Sequence, residues 1–209
     1  LVPVGVEPHD WEPTIKDVQQ MQKSDLIVIN GIGFESWVDK LHEMNYQGVI
    51  VDTSNGIIIK NMNNESSVHE KHVDESGDPH IWLNPVFAKI QVQNIANAFS
   101  NSDPANRQYF QENAANYINK LDLLDSKIRN ELSGCNRDFI VFHHAFSYFA
   151  DEYDLTQHTI ISSYAPHTEP TAKTLENVIN KAKQLNVKVI FTEETADPKT
   201  SQVIANEIG

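Results

Sequence analysis

The sequence predicts an α/β protein of two lobes, each with a mainly parallel sheet flanked by helices, joined by one long backbone helix. Three observations carry this. Short apolar runs alternate with helix-period segments over most of the chain, the pattern of parallel strands joined by crossover helices. One apolar stripe at helical spacing runs from Phe110 to Leu132, too long for an ordinary crossover. The chain of 209 residues is long enough for one large domain or two small ones around real cores.

Taken in order, Leu26-Ile-Val-Ile29 after Ser24-Asp25 reads as a buried strand ended by Gly31 and Gly33. Phe34, Trp37, Val38, Leu41 and Met44 then recur at helical spacing, and Gly48-Val-Ile-Val51 is the next strand. Residues 60–78 are polar and read as a surface loop. Asn84-Pro85 is a helix start, Asn as N-cap and Pro at the first helical position, with the helix running to about Ser100. Asp103-Pro104 repeats that grammar before the long helix, whose stripe is Phe110, Ala114, Tyr117, Ile118, Leu121, Leu124, Ile128 and Leu132. A helix of nearly thirty residues would be roughly 45 Å long.

Beyond it, Asp138-Phe-Ile-Val-Phe142 is a strand, 146–153 a short helix, and His158-Thr-Ile-Ile-Ser162 a strand. Leu175 to Leu185 mark a helix, Val187-Lys-Val-Ile-Phe191 a strand, and a last helix begins near Lys199. The organisation is thus an N-terminal lobe over 1–102, a linking helix over 103–133 and a C-terminal lobe over 134–209.

Composition narrows the function. Lys+Arg of 16 against Asp+Glu of 29 gives a net charge of −13. That excludes nucleic acid and anionic membrane as main partners, since both need basic patches. Hydrophobic residues at 40% and charged ones at 22% are ordinary globular values. Cys135 is the sole cysteine, so neither an internal disulfide nor a thiolate-rich metal site is available, and a lone Cys is tolerable if buried. No run of 18 apolar residues occurs, so no transmembrane helix is expected.

Nine histidines are present, and imidazole is the commonest metal ligand. Ligands of open α/β sheets bind at strand ends. His143 follows the strand 138–142, His9 follows Val4-Gly-Val6, and His80 lies just ahead of the helix start at Asn84. No two of them share the i, i+4 spacing of a helical metal motif. Taken singly, each reads equally as a loop histidine held by a backbone hydrogen bond.

Three segments bear a family likeness. Pro8-His-Asp-Trp-Glu-Pro-Thr14, Asp78-Pro-His-Ile-Trp-Leu-Asn-Pro85 and Phe142-His-His-Ala-Phe-Ser-Tyr-Phe149 resemble, in order and separation, signatures of the zinc/manganese substrate-binding proteins of metal ABC transporters. Asn30-Gly-Ile-Gly-Phe-Glu35, leading to Trp37, fits the same pattern, and Phe191-Thr-Glu193 resembles a fourth, weaker segment. The resemblance covers essentially the whole chain.

The resemblance implies metal ligands at His9, His80 and His143, the third on His143 rather than on His144. Manganese members typically carry Glu at that third position, so His143 implies a zinc-type member. Three neutral imidazoles agree, whereas a carboxylate would favour harder ions. Zn²⁺ is the expected cargo, ahead of Mn²⁺ or another divalent transition metal. A fourth ligand would be an Asp beyond Gly209, or water, or another carboxylate. An opening strand and an export or anchor segment are expected before Leu1, and a last strand and helix after Gly209, so that both lobes are incomplete here. Glu193, Asp78 and His144 are candidates to bind a ligand imidazole from behind; Glu193 reads equally as a plain strand-end carboxylate and His144 as a surface histidine, and Asp78 reads as a turn or N-cap residue sooner than as a ligand. His69 and His72 are candidates for a metal-trapping loop, or simply solvated histidines. His42, His158 and His167 read as exposed or locally bonded, and Trp11, Trp37 and Trp82 as packing.

The expected function is therefore extracytoplasmic: capture of Zn²⁺ between two lobes and delivery to the membrane permease of an ABC transporter. The protein is expected to be a monomer, periplasmic or anchored at the outer face of the membrane, and not an enzyme. Two other readings use the same residues. A zinc hydrolase would also present three His and a water, but no His-Glu-x-x-His spacing occurs. A metal-binding surface adhesin would leave the histidines unexplained.

Overall fold

The computed structural model describes residues 2–60, 77–164, 170–192 and 198–209. The chain divides into two compact units, Leu1–Pro3 with Pro8–Lys127 and Val4–Glu7 with Ile128–Gly209. The boundary lies inside the long helix, between Lys127 and Ile128.

The first unit holds α1 (Ile15–Met21), β1 (Leu26–Ile29), α2 (Val38–Glu43), β2 (Val49–Asp52) and α3 (Pro85–Ser102). β1 and β2 pair in parallel, Leu26 opposite Val49 through Ile29 opposite Asp52. Trp11, Met21, Ile27, Trp37 and Leu41 form the core, with the Trp11 and Trp37 rings edge to face at 5.7 Å. α1 was not expected. Its signal is the capping box after Pro13: Thr14 Oγ1 accepts the Asp17 N–H, and Asp17 Oδ2 accepts the Thr14 N–H at 2.9 Å. The Thr14 hydroxyl also donates to Asp17 Oδ2 at 2.6 Å, and this bond first, with the Thr14 N–H second, holds the Asp17 carboxyl below its usual range. The α3 start is as read, since Asn84 Oδ1 accepts the Val86 N–H at 2.8 Å and Pro85 opens the helix.

The Asp103-Pro104 reading is corrected. Pro104–Asn106 is a 3₁₀ turn, and the Asp103 carboxylate accepts from the Asn106 side chain instead of capping a backbone N–H. The long helix α4 is Arg107–Leu132, 26 residues and hence about 39 Å. Its stripe is only partly buried: Ala114 and Leu121 are covered, while Tyr117 and Leu124 are exposed. Periodicity marks a helix face without saying how much of that face finds a neighbour.

The second unit carries β3 (Asp138–Val141), α5 (Ser147–Glu152), β4 (Thr156–Thr159), α6 (Ala172–Leu185), β5 (Ile190–Phe191) and α7 (Pro198–Ile208). The strand order is β4-β3-β5, all parallel. Ile140, Phe142, Ile160, Ile161, Ala182, Val187 and Ile204 form its core. β4 starts two residues earlier than expected because Thr156 N–H bonds Arg137 O and sets the register against β3. β5 is shorter than expected because 187–189 are spent leaving α6: Asn186 turns left-handed at φ 54° and the Val187 N–H returns to Ala182 O. Cys135 is exposed, in the turn that ends α4, its N–H on Leu132 O. Among the described residues, no helix is long and apolar enough to cross a membrane.

Candidate metal centre

His9 sits in a single 3₁₀ turn, Pro8–Asp10, closed by the Trp11 N–H on Pro8 O. Burial of Trp11 in the core fixes that turn at its downstream end. The His9 ring, half-buried, meets the Phe34 ring edge to face at 5.0 Å.

His80 lies 71 residues further on, just before the 3₁₀ turn Ile81–Leu83 that leads into α3. Its segment is pinned on both sides. Asp78 N–H bonds Lys60 O at 2.8 Å upstream, and Ile81, fully buried, anchors it downstream. Asp78 Oδ1 accepts the His80 backbone N–H at 3.0 Å and the His80 Nδ1–H at 2.7 Å. Both side chains are essentially out of water, Asp78 at 0% and His80 at 1% exposure. A carboxylate can only accept, so this contact places the His80 proton on Nδ1 and leaves a lone pair on Nε2.

That Nε2 points at His9 Nε2, 3.2 Å away. Two nitrogens bound to one tetrahedral ion at about 2.0–2.1 Å each would stand about 3.3 Å apart. The pair therefore has the spacing of two ligands of one metal ion. Without metal, His9 Nε2–H donates to the His80 lone pair across the same gap.

The loop after β1 reaches the His9 ring and the peptide just before His80. Asn30 Nδ2 donates to Pro79 O at 2.8 Å, and Gln91 Nε2 donates to Asn30 Oδ1 at 3.1 Å and to Thr53 Oγ1 at 2.9 Å. Glu35 turns back to accept the Asn30 N–H at 2.8 Å and the Gly31 N–H at 3.1 Å. Burial pushes the Glu35 carboxyl up, against the lowering effect of those N–H groups, and the nearby Asp52 adds to the rise. Phe34 also meets Trp82 at 5.1 Å, and Trp82 meets His80 at 5.2 Å.

His143 belongs to the second unit and is buried there, two residues beyond the end of β3. The β3–β4 edge continues past the strands through Ile160 N–H on Val141 O, Ile161 N–H on Phe142 O and His144 N–H on Ser163 O. His143 is thus held between residues fixed on either side. His144 is half-buried with its ring against Tyr164 at 5.5 Å. Glu193, His69, His72 and His167 lie outside the described residues. Of the other histidines, His42 is exposed and His158 pairs with Asp138 at 2.7 Å.

Within the first unit, then, the fold brings His9 and His80 together, and Asp78 both makes a turn through the His80 N–H and stands behind the His80 ring. Sequence reasoning missed Gln91. It marked Asn30–Glu35 as a strand stop that fits the family pattern, but not what the segment holds, because the bond of Asn30 to the Pro79 carbonyl joins residues 49 positions apart.

A family model described as zinc-uptake complex component A, periplasmic, matches residues 1–209. The high-affinity zinc uptake system protein ZnuA of Bacillus subtilis (strain 168) is 40% identical over 218 residues, covering 100% of this chain and 67% of that protein. Zinc-binding protein AdcA of Streptococcus pyogenes serotype M3 is 31% identical over 225 residues, covering 100% of this chain and 44% of that one. The chain therefore spans less than half the length of AdcA and about two thirds of that of the Bacillus protein. A crystal structure of ZnuA superposes with a TM-score of 0.88 at 33% identity, covering 100% of this chain and 78% of that one. The same α/β architecture, parallel sheets with flanking helices and a long helix, is shared with it. Matched along its whole length, the chain belongs to the family of periplasmic zinc-uptake complex component A proteins.

Proposed function

We propose that this chain captures one Zn²⁺ ion outside the cytoplasm, through His9, His80 and His143, and hands it to the membrane permease of an ABC transporter. The observation that carries the reading is the His9–His80 pair, 3.2 Å apart at Nε2, with Asp78 fixing the lone pair of one ring toward the other. Pairing of a ligand imidazole with a carboxylate through its far nitrogen is the usual support of a metal site. His143 supplies a third imidazole, and borderline-soft nitrogen donors favour zinc over manganese. The names of the Bacillus and Streptococcus relatives, both zinc proteins, agree with this cargo. Zinc is the cargo here, so the site has to release it as well as hold it, and no reaction on a substrate is proposed. His144 remains a candidate to support His143 from behind.

The test is elemental analysis and chelator-competed zinc titration of the protein. One tight zinc per chain is expected. His9→Ala, His80→Ala and His143→Ala should each weaken binding by at least about tenfold, the scale of losing a metal-site group. The same change at His42 or His158 should do almost nothing. Equal losses at all five positions would sink the three-histidine site, and hydrolase activity of the zinc-loaded protein would sink the transport reading.

A further inference from the structure

The segment Asn30–Glu35 contributes no metal ligand, yet its backbone is the most unusual in the described chain. Gly31, Ile32 and Gly33 all have positive φ, at 90°, 60° and 75°. For Ile32 that is a real cost, because a β-branched side chain crowds the following carbonyl in the left-handed region. A Cβ on Gly31 would lie 2.1 Å from Asp52 Oδ1, so the loop is also tightly walled. Such strain persists only where surrounding contacts over-determine the backbone. Here Glu35 accepts two of the loop's own N–H groups, and Gln91 orients the Asn30 amide from α3.

What the loop holds is the metal pair. We propose that Asn30–Glu35 is a positioning element for the metal centre: Asn30 sets the His80 segment through the Pro79 carbonyl, and Phe34 sets the His9 ring. Asn30 Nδ2 donates to the buried Pro79 O, one peptide from His80, while Oδ1 accepts from Gln91, so the amide cannot flip without losing both bonds. Phe34 stands between His9 at 5.0 Å and Trp82 at 5.1 Å, and Trp82 in turn packs on His80 at 5.2 Å. One short loop thereby ties together two ligands far apart in sequence. This inference rests on His9 and His80 being zinc ligands.

Asn30→Asp is the sharpest variant. It keeps the shape and the acceptor for Gln91 but replaces the donor to Pro79 O with an oxygen. We expect one zinc per chain to be retained, affinity to fall by about tenfold, the lower end for losing a supporting partner, and the absorption spectrum of the Co²⁺-loaded protein to change. Gln91→Met, which frees the Asn30 amide without touching the loop, should shift affinity in the same direction by less. Leu121→Ala is the control: it opens a cavity under α4, outside the Trp11 core, and lowers the unfolding temperature, but should leave zinc affinity and the Co²⁺ spectrum unchanged. The proposal is overturned if Asn30→Asp binds zinc as the wild type does, or if Leu121→Ala loses as much affinity as Asn30→Asp. His80→Ala separates the metal site from the loop that positions it. Tight binding retained in His80→Ala would overturn the metal site itself, and the positioning proposal with it. Binding lost there but intact in Asn30→Asp would overturn only the positioning role.

Discussion

Replacing Asp78 is the most direct test of how the centre is built. Asp78 Oδ1 takes two donors, the His80 backbone N–H at 3.0 Å and the ring Nδ1–H at 2.7 Å, in a place sealed from water. Asp78→Ala removes the acceptor they share. A buried donor left unsatisfied costs about 1–3 kcal/mol, so with partial relaxation the metal-free protein should lose about 2–4 kcal/mol. Metal binding should suffer separately, because the His80 ring is no longer held with its lone pair facing His9. Loss of such a partner weakens metal sites about 10–100-fold, or about 1.4–2.8 kcal/mol. Asp78→Asn retains an acceptor oxygen of the same shape and should fall at or below the lower end of both ranges. The assays are urea unfolding of metal-free protein and zinc titration against a chelator. The Asp138–His158 pair supplies an internal control, since it has the same 2.7 Å contact but is only partly buried and lies elsewhere. Asp138→Ala should leave zinc affinity alone. Unchanged affinity in Asp78→Ala, or an equal loss in Asp138→Ala, would mean that Asp78 does not hold the His80 ring for the metal.

Three further outcomes are expected. His143→Glu should lower zinc affinity more than manganese affinity, narrowing their ratio in competitive titration, because two hard oxygens replace a borderline-soft nitrogen; an unchanged ratio would take residue 143 out of the site. Glu35 carries a carboxyl raised by burial, so its contribution to stability is fully present below the unfolded value of about 4.3 and is lost as pH rises through the higher folded value. The stability of metal-free wild type relative to Glu35→Gln should accordingly shrink from about pH 4 upward and then level off; a gap that widens with pH would contradict the sign. Asn84→Ala removes the buried N-cap of α3 and should cost about 1–2 kcal/mol, read as a drop in unfolding temperature of about 2–4 °C per kcal/mol.

The sequence by itself determined the α/β class, since periodicity and turn chemistry are local properties. Leu26–Ile29 and the Asn84-Pro85 start could be read to the residue for that reason. It also singled out His9, His80 and His143, because strand ends and helix starts are where imidazoles can be presented, and the three family segments made the choice specific. Tertiary structure decided the rest. The edges of β4 and β5 came from pairing with β3 and from the left-handed exit of α6, neither of which leaves an apolar signature. How much of the α4 stripe is buried depended on neighbours that periodicity cannot count. The His9–His80 contact and the hold of Asn30 on Pro79 join groups whose relation depends on how the chain returns on itself. A hydrogen bond needs its two atoms within about 3 Å in the right direction. Residue type and spacing along the chain state which groups are available for such a bond, and only the fold states which of them meet.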